Sequence, residues 1–91
     1  MRRYRVREGL LMEELDGECV ILDMDRNVYF GLEAMGQVIW TLLQRGESVE
    51  RIVEAMQHKY EGEKSAQEIA SDVDSFMGAL LERRLLDEVG E

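Results

Sequence analysis

The spacing of the apolar residues changes once, and abruptly, inside VYFGLEAMGQVIWTLL, residues 28–43. Up to Leu32 they alternate, with Val28, Phe30 and Leu32 on one face and Tyr29 and Gly31 on the other, which is the period of a strand. From Met35 they recur at Val38, Ile39, Leu42 and Leu43, the i, i+3, i+4, i+7, i+8 pattern of one helix face, with Trp40 beside it. One element cannot hold both periods. A strand must end and a helix must begin near Glu33, so the chain divides into a β half and an α half.

The β half carries its own turn signals. GLLMEEL and ECVILDM flank Asp16-Gly17, a pair that supplies the positive backbone angles of a two-residue hairpin turn, and a second turn is expected at Asp25-Arg26-Asn27. Three strands in an antiparallel meander result, with VYFGL as the third. Being last in sequence, it is expected at a sheet edge with one row of N–H and C=O groups unpaired.

The α half is punctuated by caps. Gly46 is placed to end the first helix and Ser48 to start a second with the face Val49, Ile52, Val53, Met56 and Tyr60. Ser65 and Glu68 form an S-x-x-E capping box for a third, whose expected buried stripe is Ile69, Val73, Phe76, Met77, Leu80 and Leu81. Arg83 and Arg84 suit its last turn, and Leu85-Leu86 are expected to fold back on the core. The predicted class is α+β, a three-stranded antiparallel sheet followed by three helices, as in a winged helix-turn-helix.

Ninety-one residues suit one domain, expected over 9–87, with residues 1–8 as a basic arm or the start of the first strand and 88–91 as a tail. Charge constrains partners. Residues 1–7 hold four arginines and no acid, so residues 8–91 set seven bases against twenty acids. A body this acidic repels phosphate backbones, and the third helix offers Asp72, Asp74 and Glu82 with no cation before Arg83. A DNA-binding regulator, which the helix-turn-helix pattern would otherwise suggest, is disfavoured on those grounds. One cysteine, no secretory signal pattern and no long apolar run point to a cytoplasmic protein without a membrane partner.

Catalytic furniture is sparse. His58 is the sole histidine and has no second ligand at metal spacing, and Cys19 lies in a predicted strand beside Glu18, where negative charge opposes thiolate formation. The carboxylates fall in solvated runs, and no glycine-rich phosphate loop is present. No catalytic residue, metal site or cofactor is expected, and the chain is read as a non-enzyme.

VILDMDRNVYFGLEAMGQVIWTLL, then GESVERIVEAM, then DVDSFMGALLERRLL resembles the family of the pyrroloquinoline quinone biosynthesis protein D across residues 9–87. Leu32, Glu33, Gly36, Ile39, Trp40, Leu42 and Leu43 carry the pattern, with Glu33 where the family usually has Asn or Asp. Glutamate is the poorer helix cap. The stand-alone length and the aromatic strand look most like the lasso-peptide branch of leader-recognition elements.

The resemblance implies that the leader of a ribosomally synthesised precursor adds as an antiparallel strand to residues 28–32, in a groove walled by the third helix. A transglutaminase-like cysteine protease would then cut the presented leader, with a cyclase as a further possible partner. A carrier for the precursor of a redox cofactor, serving a radical enzyme, is the alternative within the family. The implied contacts are Val28, Tyr29, Phe30, Gly31 and Leu32 on the strand and Asp72, Val73, Ser75, Phe76, Ala79 and Arg83 on the helix. Ser75 and Ala79 would admit a strand, Phe76 and Val73 would floor an apolar pocket, and Asp72 or Arg83 would set polarity. VYFGL has no charge or proline to protect its edge, so the third helix, a second copy or another chain is expected to cover it.

Overall fold

The computed structural model describes residues 2–89. In chain order the elements are β1 (Tyr4–Val6), β2 (Leu10–Leu15), β3 (Glu18–Asp23), β4 (Val28–Leu32), α1 (Ala34–Gln44), α2 (Val49–Lys59), α3 (Ala66–Glu82) and β5 (Leu86–Glu88). β2, β3 and β4 form the expected antiparallel meander, and β1 pairs with β5 in a separate two-stranded ribbon. The two-residue Asp16-Gly17 turn joins β2 to β3 with φ of 51° and 80°, the left-handed values that Asp-Gly accommodates.

The ribbon revises both ends of the sequence reading. Residues 4–6 are neither a loose arm nor the start of the meander, and Glu88 belongs to a strand instead of a tail; residues 90 and 91 lie outside the described residues. Strand formation there depends on a long-range partner, which local pattern does not reveal. Arg2 continues the tie: its carbonyl accepts from the Val49 amide at 2.8 Å, and its own amide and Nε donate to Glu50 at 2.8 and 2.9 Å. The terminal arginines thus clip the start of α2.

The helix ends follow the caps. Ser48 accepts from the Arg51 amide, Ser65 and Glu68 close a reciprocal capping box, and Glu33 makes no side-chain bond to the start of α1. Gly46, with φ of 84°, takes the left-handed position after α1 while the Gly46 and Glu47 amides donate to the Leu43 and Leu42 carbonyls. α3 ends in the same way, except that its left-handed residue is Arg84, at φ 60°. The Arg84 and Leu85 amides donate to Leu81 and Leu80, and the turn drives Leu85 and Leu86 into the core.

The core lies where the sheet, α1 and the faces of α2 and α3 meet: Ile21, Leu32, Ile39, Trp40, Leu43, Ile52, Met56, Ile69, Val73 and Leu80 are all buried. Two stripe assignments shift. Trp40, placed beside the stripe of α1, is at its buried centre, because α1 packs against β1, β4 and α2 and is covered on more than one side. Leu81, assigned to the buried stripe of α3, is exposed, and Phe76 is half-buried, facing away from the deepest row.

Two predictions test this framework. A non-glycine residue in the left-handed region costs about 1–2 kcal/mol, so Arg84→Gly should raise the thermal midpoint by about 4–8 °C, measured by calorimetry. The hydrogen bonds from the Arg2 side chain and amide hold the Glu50 carboxyl down at about 2, against 4.5 ordinarily. A lowered folded-state value gives stability that is full above the unfolded value and lost as pH falls. The stability gap between the native chain and Glu50→Gln should therefore be full above pH 4.5, close as pH falls towards about 2, and narrow in high salt.

Candidate peptide-binding groove

β4 is an edge of the meander, and among the described residues no backbone group pairs with its outer side. The opposite edge, β2, carries Glu13 and Glu14, charges that discourage another chain. β4 carries none. Val28 and Tyr29 are 53% and 65% exposed, so this edge is both unpaired and apolar.

The inward face of the meander is set by its register. Phe30 lies opposite Ile21, Leu32 opposite Cys19 and Val28 opposite Asp23. Phe30 therefore points towards α3, where its ring meets Phe76 edge-on at a centroid separation of 6.2 Å. Arg83 lays its guanidinium over the same ring at 5.1 Å.

Around this stack a groove runs between β4 and α3. One part, of about 440 Å³, is lined by Phe30 and Gly31 of the strand, Asp72 and Phe76 of α3, and Glu33, Met35, Gly36, Ile39 and Lys64. The other, of about 160 Å³, is lined by Val28, Tyr29 and Phe30 with Arg83, Leu85, Ile21, Asp23 and Arg26. Gly36 makes the larger part possible. A Cβ there would stand 3.0 and 3.1 Å from the Phe76 ring and 3.4 Å from Leu32, so any side chain must displace the ring.

An ionic contact braces each end. Lys64 donates to Asp72 at 2.8 Å across the mouth of the larger part. At the smaller part Asp23, only 2% exposed, accepts from Arg7 and from Arg26 Nε at 2.9 Å, and from the amides of Asp25 and Arg26. Burial pushes the Asp23 carboxyl up, but the Arg26 amide and the two guanidinium groups outweigh it and hold it below its ordinary value. Arg26 then reaches across to the end of α3, donating to the Arg83 carbonyl at 2.7 Å and the Arg84 carbonyl at 3.4 Å. The β3–β4 turn and the end of α3 are locked together.

The structure brings seven of the eleven expected residues to this groove and leaves four out of its lining. Val28, Tyr29, Phe30, Gly31, Asp72, Phe76 and Arg83 line it. Val73 is fully buried, and Leu32 is buried beneath the strand, so both support the groove from the core. Ser75 is exposed and lines neither part; Ala79, half-buried, stands on the row between Phe76 and Arg83. Sequence reasoning missed Met35, Lys64 and Arg26. Met35 was assigned to the core stripe with Ile39, which is indeed buried, and nothing local announces that Lys64 and Arg26 reach α3.

His58 is exposed, with Glu61 at 3.9 Å, and Cys19 is half-buried and unpaired. Among the described residues no three His, Cys, Asp or Glu side chains gather as a metal site. No described helix is long and apolar enough to cross a membrane.

Residues 18–86 match the family described as coenzyme PQQ synthesis protein D, PqqD. The chain belongs to the PqqD family. No curated protein matches the sequence. Among solved structures, the chain is similar to TbiB1 in complex with the TbiA(beta) leader peptide, at 30% identity and a TM-score of 0.80, over 96% of this chain and 99% of that one. A lasso peptide synthetase B1 complexed with the leader peptide shares the fold, at 20% identity and a TM-score of 0.77, over 92% of this chain and 96% of that one. The PqqD match begins at β3 and so spans both walls of the groove, leaving β1 and β2 outside it.

In this PqqD domain Gly36 sets the position of Phe76. Gly36→Ala is favoured within a helix by about 1 kcal/mol, so the fold should persist with unchanged circular dichroism. The Phe76 ring should move towards the groove, seen as altered Phe30–Phe76 cross-peaks in aromatic nuclear Overhauser spectra.

Proposed function

We propose that this chain is a non-catalytic binding protein for the leader region of a ribosomally synthesised precursor, a lasso-peptide precursor in particular. The leader adds as an antiparallel strand to β4, its alternate side chains fill the groove against α3, and the bound segment is presented to a partner leader peptidase. The carrying observation is the unpaired, uncharged five-residue edge of β4 beside a groove of about 440 Å³ that exposes Phe30, Met35 and Phe76. The 30% identical relative was solved with a leader peptide, which supports the same role here.

The division of labour follows from the chemistry. The open N–H and C=O groups of β4 bind any extended backbone and carry no sequence information. Phe30, Phe76 and Met35 offer apolar surface, which favours a large apolar side chain on the leader. Of the groove carboxylates, Asp23 and Asp72 are paired with cations and Glu33 stands alone, with no histidine or cysteine among the lining residues to complete a catalytic set.

Titration calorimetry with the leader peptide encoded beside this chain tests the proposal. Binding is expected, and Phe76→Asp should weaken it well over tenfold with circular dichroism nearly unchanged. Strand addition further requires that N-methylation of the leader amides harm binding at alternate positions only, because every second N–H faces β4. Uniform tolerance of N-methylation, or undiminished binding to Phe76→Asp, would overturn it. Mass spectrometry of the mixture should show intact precursor.

A further inference from the structure

The two parts of the groove hold different unpaired charges. At the smaller part Arg26 is committed to Asp23, while Arg83 makes no ion pair among the described residues and sits over the Phe30 ring, leaving its N–H groups for a ligand. At the larger part Lys64 is committed to Asp72, and Glu33, on the groove wall, has neither a helix-cap bond nor a cation. One end therefore presents a free guanidinium and the other a free carboxylate.

The direction of a bound strand is fixed by the topology. Gly31 shares its part of the groove with Asp72, and Val28 shares the other part with Arg83, so β4 and α3 run in opposite directions along it. A strand antiparallel to β4 runs the same way as α3. Its N-terminal side lies beside Glu33 and its C-terminal side beside Arg83.

We propose that Arg83 determines specificity by receiving a carboxylate side chain of the bound leader, on the C-terminal side of the leader's apolar anchor. This rests on the strand-addition reading above. The seven helical residues from Phe76 to Arg83 span about 10 Å, or roughly three residues of extended chain. Side chains on one face of a strand recur every second residue, so the carboxylate falls two or four positions after the anchor. Glu33 reinforces the same polarity, favouring a basic residue before the anchor. A planar guanidinium stacked on an aromatic ring is suited to this task, because its edge stays free for a two-point contact with carboxylate.

A phage-displayed library of random peptides, selected in parallel on the full chain and on Arg83→Glu, tests the assignment. The native chain should enrich peptides with an aromatic or large aliphatic anchor and Asp or Glu two or four positions later. Arg83→Glu should keep the anchor and switch that position to Lys or Arg. Synthetic copies of the selected acidic peptides should bind Arg83→Glu about tenfold more weakly, an effect that shrinks in high salt. Among the described residues the Arg83 side chain makes no hydrogen bond, so calorimetry should find that Arg83→Glu still unfolds in one cooperative transition, lowered only by the loss of the stacking on Phe30 and of the cation at the helix end. Anchored peptides with no acidic preference, or with the same preference on Arg83→Glu, would overturn the Arg83 assignment and leave strand addition standing. Failure to enrich any anchored peptide on the native chain would overturn both.

Discussion

A buried carboxylate, Asp23, organises the end of the groove that sequence periodicity leaves undefined. It closes β3, and its position inside the protein is tolerable only because two guanidinium groups and two amides converge on it. Arg7 comes from the segment after β1, and Arg26 from the turn before β4. Arg26 also spans to the last carbonyls of α3, so one side chain joins the meander to the helix that faces it. Those carbonyls are the unsatisfied, negative end of the helix, where a cation is electrostatically favoured. The separation of β4 and α3 at that end follows from the reach of an arginine.

With that brace in place, the fold does not depend on the outer edge of β4 being paired. Phe30 turns inward and packs on Phe76, so the strand is anchored through its face while its outer backbone stays free. Gly36 completes the arrangement by leaving the Phe76 ring the space it occupies. The result is a groove whose floor belongs to the core and whose walls are tied to it by the Phe30–Phe76 contact and the Arg26 bonds. Preorganisation of this kind lowers the cost of binding a flexible chain, because only the ligand has to be ordered.

The sequence made the framework legible where the determinants were local. The period change at Glu33, the Asp16-Gly17 turn, the Gly46 terminator and the Ser65–Glu68 box each correspond to a contact between residues a few positions apart. It did not reveal the β1–β5 ribbon, since three-residue strands have too little alternation to register and their pairing spans more than eighty residues of chain. The site was half-readable for the same reason. VYFGL announced itself by what it lacked, and helical spacing set Asp72, Ser75, Phe76, Ala79 and Arg83 on one row, of which Asp72, Phe76 and Arg83 line the groove. Val73, expected in the buried stripe and as the floor of the pocket, is fully buried, because a helix row next to the core looks like the core in sequence, and Arg26 and Lys64 were invisible because their partners lie in another element.

Backbone pairing on β4 cannot by itself account for tight recognition. Five residues of added strand make about 3–5 hydrogen bonds worth about 1 kcal/mol each, and ordering a flexible peptide costs about 2–5 kcal/mol. Those contributions nearly cancel, whereas micromolar to nanomolar binding requires about 8–12 kcal/mol. The remainder has to come from side chains entering the groove, and one large apolar residue fully buried contributes about 1.5–3 kcal/mol. More than one side-chain contact is therefore needed. The two parts of the groove, on either side of the Phe30–Phe76 contact, set an apolar site apart from the charged one at Arg83. Specificity then lies in the spacing between them, which the brace from Asp23 through Arg26 to α3 holds constant.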